Sequence, residues 1–155
     1  MPGYWLFKTE PDTVSWDDLG ASPDRTTVWD GVRNYTARNF LRDEVKRGDH
    51  VLFYHSGAKP PAVVGTATVV RAGFPDPSQF DPASPYHDPR SSPETPRWFS
   101  VSVRRARPLP RPVTLPVLRE TRSLAGMRLL ARGNRLSVLP VTEREWRIIL
   151  EMGGL

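Results

Sequence analysis

The period of the apolar positions changes several times along the chain, and the changes mark out its elements. From Tyr4 to Thr9 the residues alternate, with Tyr4, Leu6 and Lys8 on one face and Trp5, Phe7 and Thr9 on the other. This predicts a first strand, stopped at Glu10-Pro11 because proline cannot donate to a ladder. Ser15 followed by Asp18 marks the start of one short helical turn, and an extended piece leads to Val28-Trp29 before an Asp30-Gly31 turn. Asn34 is a good N-cap, and Ala37, Phe40, Leu41 and Val45 then recur at helical spacing. Lys46 and Arg47 suit the negative end of the helix dipole and Gly48 suits the position just beyond it, so a helix is predicted from Asn34 to Gly48.

Val51–His55 and Ala62–Arg71 are β-rich runs joined by the six residues Ser56 to Pro61, which predicts a hairpin. In Trp98–Leu109, Phe99, Val101 and Val103 alternate with Ser100, Ser102 and Arg104, as a half-buried strand requires. Near the C-terminus Thr142 and Glu145 form a capping box and Val141 and Trp146 a hydrophobic staple. Trp146, Ile149 and Leu150 then define the buried face of a last helix ending before Gly153. The segment from Gly73 to Arg97 has 25 residues and seven prolines, with no period. Loops this long in a compact domain are usually functional or disordered, and Phe74, Phe80, Tyr86 and His87 favour function over a solvated insertion, with a flap that packs only for stability as the alternative.

At 155 residues the chain fits one domain with a single core. It has no cysteine, which removes disulfides, Cys-based metal sites and thiol nucleophiles. No basic n-region precedes Tyr4-Trp5-Leu6-Phe7 and no apolar run approaches a membrane span of ~18 residues, so a cytoplasmic protein without membrane contact is expected.

Charge changes the picture. Residues 1–58 carry seven Lys or Arg against nine Asp or Glu, a net −2, whereas residues 59–155 carry fifteen against eight, a net +7. Ten arginines and one acidic residue, Glu120, lie between Arg97 and Arg135, which points to a positive face and a polyanionic partner. A bias toward arginine over lysine, nineteen to three, is the competing explanation.

Familiar catalytic signatures are missing: there is no phosphate loop, no dinucleotide glycine fingerprint, no nucleophile elbow and no His-Glu-x-x-His. His50, His55 and His87 are not spaced as helical metal ligands, and the acidic residues are mostly scattered, which disfavours a two-metal nuclease. What remains is a concentration of aromatic and small polar residues at strand ends and turns: 7–11, 29–35, 53–56 and 134–138. An extruded base needs a flat apolar clamp for its faces and fixed donors and acceptors for its edge, and these segments hold both. Taken singly, each residue has a plainer explanation, since a tryptophan before a turn is usually core and Asn34 has a helix to cap.

Tyr-Trp-Leu-Phe-Lys-Thr-Glu-Pro at 4–11, Trp-Asp-Gly-Val-Arg-Asn-Tyr at 29–35 with Ala37-Arg38-Asn39, Phe-Tyr-His-Ser at 53–56 and Arg-Leu-Ser-Val-Leu-Pro-Val at 135–141 match the EVE-domain pattern in order and spacing. Over nearly its whole length the chain resembles bacterial members of that family, with Thr9 standing where many have serine. The resemblance implies an α+β fold, a PUA-like mixed β-barrel with flanking helices, distantly related to YTH domains that hold methylated adenine in an aromatic cage. It implies a reader of modified DNA bases, chiefly modified cytosines, with no catalytic activity and no cofactor.

Carried over by position, the base pocket would draw on Lys8, Thr9, Trp29, Asp30, Asn34, Tyr54, His55, Ser56 and Ser137. Trp29 would stack on one face of the base and Tyr86, from the proline-rich segment, on the other. Arg38, Arg104, Arg105 and Arg135 would hold phosphates, or Arg38 and Arg135 would brace loops through carboxylates such as Asp30. The expected partner is modified DNA, with RNA as the nearest rival because PUA-like folds widely bind it. The protein is expected to be a monomer, with any effector nuclease a separate chain. A nucleic-acid-processing enzyme and a small-molecule or protein-interaction domain are the readings from other classes.

Overall fold

The computed structural model describes residues 2–155 and joins six strands into one sheet: β1 (Tyr4–Thr9), β2 (Thr26–Trp29), β3 (His50–His55), β4 (Ala62–Pro75), β5 (Phe99–Thr114) and β6 (Val138–Pro140). Their order is β2-β5-β4-β3-β1-β6; β1 and β3 run parallel and every other pair antiparallel. Helices flank the sheet: α1 (Trp16–Ala21), α2 (Tyr35–Asn39), α3 (Leu115–Glu120) and α4 (Glu143–Met152). None of the described helices is long and apolar enough to cross a membrane.

Alternation along the strands builds two cores, one on each face. Trp5 and Phe7 of β1 and Val51 and Phe53 of β3 face one cluster with Trp16, Leu19, Trp29, Ala37 and Leu41. Leu6, Leu52 and Tyr54 face the other, closed by Leu118, Leu124, Met127 and Ile149. Gly65 of β4 lets α1 approach: a Cβ there would lie 2.4 Å from the Trp16 ring. The anticipated capping box forms at Thr142 with Glu145, and the helix start expected at Ser15 is a second one, closed with Asp18. Trp146 packs on Tyr4 and His50, with ring centroids 5.3 and 5.4 Å away.

Three expectations are corrected. The sheet is not a closed barrel: β2 and β6 are edges, and no ladder joins them among the described residues. Aromatic side chains pack where a closing ladder would run, Trp29 of β2 meeting Phe7 of β1 and Phe53 of β3. The helix expected from Asn34 to Gly48 ends early. α2 stops at Asn39, a π-helical turn spans Phe40–Glu44, and Val45 is already extended. The amides beyond it are claimed elsewhere, Lys46 N–H by the buried Asp49 carboxylate and Gly48 N–H by the Val69 carbonyl.

The proline-rich segment, lastly, is partly ladder and otherwise tied down. Phe74 and Pro75 pair with Ser100 and Phe99, and Pro77–Phe80 form a 3-10 turn. The fully buried Gln79 donates to the Asp76 and Trp98 carbonyls and accepts from the Arg97 and Trp98 amides, so this one side chain closes the loop on itself.

Candidate nucleic-acid interface

The ends of β1, β2 and β3 surround a cavity of about 460 Å³. Lys8 and Thr9 line it from β1, Glu10, Thr13 and Val14 from the turn that follows, and Ser56 from the end of β3. The stretch from Trp29 to Asn34 forms another side, and Tyr86, Arg135 and Ser137 complete it. Backbone bonds pin the strand ends: Lys8 N–H donates to the Ser137 carbonyl at 2.8 Å and Ser56 N–H to the Thr9 carbonyl at 2.9 Å.

The Trp29–Asn34 turn is held from behind by Asp76, whose side chain is fully buried. Its carboxylate accepts from Gly31 N–H at 2.8 Å, from the Arg33 guanidinium at 2.9 Å, and from the Ser78 amide and hydroxyl at 2.8 and 2.6 Å. A buried charge satisfied by four donors is stable where it sits. Arg33 also donates to the Tyr86 carbonyl at 2.6 Å, and its guanidinium lies over the Tyr86 and Trp98 rings. Gly31 is at φ +80°, and a Cβ there would lie 2.7 Å from the Tyr86 ring, so glycine serves both the turn and the close seat of Tyr86. One ion pair thus fixes two sides of the cavity.

Trp29 is only 6% exposed. It belongs to the core, edge-on to Phe53, and also lines the cavity, so the plain and the functional explanations of this residue both apply. Thr9 Oγ1 donates to the Val14 carbonyl at 3.0 Å, which leaves it an acceptor only. Asn34 caps α2 through Ala37 N–H at 3.0 Å and lines the cavity as well. Burial lowers the pKa of Lys8. It raises that of Asp30, an effect that the nearby negative charge of Asp76 reinforces and that the Asp30 amide and Arg33 oppose.

Lys8, Thr9, Trp29, Asp30, Asn34, Ser56, Tyr86, Arg135 and Ser137 therefore meet around one cavity. Tyr54 and His55 do not. Tyr54 lies on the opposite face of β3 in the second core, where burial pushes its phenol up. His55 turns toward α1, and its Nε2 accepts from Trp16 N–H at 3.0 Å; burial lowers its pKa and Asp17 opposes this. Three of the four expected phosphate arginines are engaged otherwise. Arg38 donates to the Arg97 carbonyl and covers the Tyr35 ring, Arg104 pairs with Asp24 at 2.8 Å, and Arg105 lies over Trp16 with its guanidinium 4.3 Å from the ring centroid.

Bracing through Asp30 is replaced by the pair Arg33 and Asp76, neither of which was singled out from the sequence. Arg33 sits inside the 29–35 motif and could have been. Asp76 carries a local sign in Asp76-Pro77-Ser78, since an Asp often accepts from the amide two residues on, but its tie to Gly31 and Arg33 spans more than forty residues. Among the described residues no group of three His, Cys, Asp or Glu side chains is placed to hold a metal.

The family profile of the EVE domain matches residues 3–152. Mouse thymocyte nuclear protein 1 is 38% identical over 169 aligned positions, covering 98% of this chain and 74% of that protein. A hypothetical protein from Leishmania major superposes with a TM-score of 0.92 at 42% identity, covering 99% and 95% of the two chains. A solved structure of human THYN1 in complex with DNA containing 5-methylcytosine superposes with a TM-score of 0.90 at 37% identity, covering 99% and 98%.

Proposed function

The chain belongs to the EVE-domain family, and from that premise we propose that it is a DNA-binding module, not an enzyme, that receives an extruded modified base, a modified cytosine first of all, in the cavity between β1, β2 and β3. The observation that carries this reading is the likeness to the human protein bound to 5-methylcytosine DNA, together with a cavity on the scale of small-ligand sites, roughly 300–1,000 Å³. Trp29 and Tyr86 supply aromatic surface for the base, and Lys8, Asp30, Asn34, Ser56 and Ser137 supply polar groups for its edge. Arg135, exposed at the rim, takes a backbone phosphate, helped by the exposed arginines of β5 that have no carboxylate beside them, such as Arg107.

Duplexes identical except for cytosine, 5-methylcytosine or 5-hydroxymethylcytosine at one position test this directly. Preference for a modified form, with intact DNA after incubation with magnesium, manganese or zinc, is the expected result. Equal affinity for all three overturns the reader, and cleavage that survives repurification overturns the non-enzymatic part.

A further inference from the structure

Three polar side chains of the cavity wall are already committed. Arg33 is spent on Asp76, Ser78 and two carbonyls, Thr9 on the Val14 carbonyl, and the Asn34 carbonyl oxygen on its helix cap. Asp30 is the exception among the acidic residues of the Trp29–Asn34 turn and the segment behind it. Its amide donates to the Val28 carbonyl and also lies against its own carboxylate, but among the described residues no side chain donates to that carboxylate, and the neighbouring Arg33 is held by Asp76. Asp30 is an exposed residue that lines the cavity, with the Arg33–Asp76 ion pair behind it.

We infer that Asp30 makes the cavity selective for an amino-pyrimidine, cytosine or a 5-substituted cytosine, against a keto-pyrimidine, thymine or uracil, by accepting a hydrogen bond from the exocyclic amine at C4. The inference rests on base insertion as proposed above and adds the group that reads the edge. Thymine and 5-methylcytosine share the same ring and the same 5-methyl group, so neither stacking nor apolar contact tells them apart. They differ at C4, an amine against a carbonyl, and at N3, an acceptor against a donor. A carboxylate accepts from the cytosine amine, whereas toward thymine it meets the O4 carbonyl with like partial charge. The one ring donor of thymine, N3–H, lies between two carbonyls, so a carboxylate that accepts from it also faces O2 or O4. The discrimination therefore comes from repelling the wrong base at O4 as well as from holding the right one at the amine.

The test uses the full chain and Asp30→Asn, which keeps shape but carries both a donor and an acceptor. Asp30→Ser serves as a second variant, and unchanged melting temperatures confirm folding. The probes are duplexes with 5-methylcytosine or thymine opposite an abasic site, so that neither base has a pair to break. The native protein is expected to bind the 5-methylcytosine probe about tenfold more tightly, the scale of one good edge contact. In both variants the ratio is expected to fall to about threefold or less. A native ratio near one, or a tenfold ratio that survives both substitutions, overturns the inference. Failure of base insertion is distinguishable, because it shows as equal affinity for cytosine and 5-methylcytosine in fully paired duplexes.

Discussion

Phe7 and Trp29 lie on strands four places apart in the sheet, yet their ring centroids are 5.4 Å from each other. At about 4.8 Å per strand a flat sheet would hold their backbones roughly 19 Å apart. The sheet must therefore curl, and register shifts at several points of the β4–β5 ladder supply the bend. Curling brings β2 toward β1 without joining them, and the cavity opens along that unpaired gap beside the two rings.

The first consequence concerns Trp29. Because it is core as well as lining, Trp29→Ala is expected to lower stability by about 3–5 kcal/mol and to abolish base preference together. Trp29→Phe separates the roles: it keeps an aromatic face, and should retain part of the binding with a smaller loss of stability. Thermal unfolding and affinity measured on the same samples check this. A phenylalanine variant that is folded but no better than alanine for binding removes Trp29 from the base contact.

Asp76→Ala leaves the Arg33 guanidinium without its buried partner and the Gly31 amide without an acceptor. Breaking a buried pair from one side costs about 3–5 kcal/mol. Urea unfolding should report a loss near the lower end, since part of Arg33 reaches solvent, and affinity for modified DNA should fall as the turn and Tyr86 lose their common anchor. Unchanged stability would show that the pair is not what fixes the turn.

Gly31→Ala places a methyl group 2.7 Å from the Tyr86 ring at φ +80°. A non-glycine residue held in that region costs about 1–3 kcal/mol, and Tyr86 must move as well. Binding should therefore drop more than in Tyr86→Ala alone, because the turn that carries Asp30 is disturbed too. Calorimetry of the two variants and their combination decides the matter.

The pH dependence follows from His55. Its folded pKa lies below the ordinary imidazole value near 6.5, because burial disfavours the cation and its Nε2 is an acceptor for Trp16 N–H. The unfolded chain therefore binds the proton first. This part of the stability is fully present above about pH 6.5 and is lost as the pH falls through the lowered folded value. His55→Gln should flatten the fall in denaturation midpoint on the acid side; a slope that is identical in the variant excludes His55 as its source.

Salt dependence measures the phosphate contacts. If Arg135 and its exposed neighbours neutralise about three phosphates, the logarithm of affinity should fall with that of salt with a slope of roughly −2 to −3, and Arg135→Ala should reduce it by about one. Arg104→Ala, which removes a residue already paired with Asp24, should leave the slope nearly unchanged.

Local features follow from neighbouring residues alone. Alternation of faces in 4–9, the caps at Ser15, Asn34 and Thr142, and the turn at Asp30-Gly31 with its positive φ each depend on residues a few positions apart, and each is found; the strand at 99–103 also forms, but with Ser100 and Ser102 buried it is covered on both faces and is not the half-buried strand expected. Most of the cavity was legible for the same reason, since its residues sit in short motifs at strand ends. Tertiary structure decided whatever depends on competition between distant groups. Whether the helix runs on past Asn39 depended on Asp49 and Val69 claiming the following amides, and whether the sheet closes depended on side chains such as Trp29, Phe7 and Phe53 packing between strands far apart in its order. Which carboxylate braces the turn and which stays free was settled by Asp76 reaching Gly31 and Arg33 from more than forty residues away. A hydrogen bond leaves no periodic trace in a chain when its partners lie that far apart.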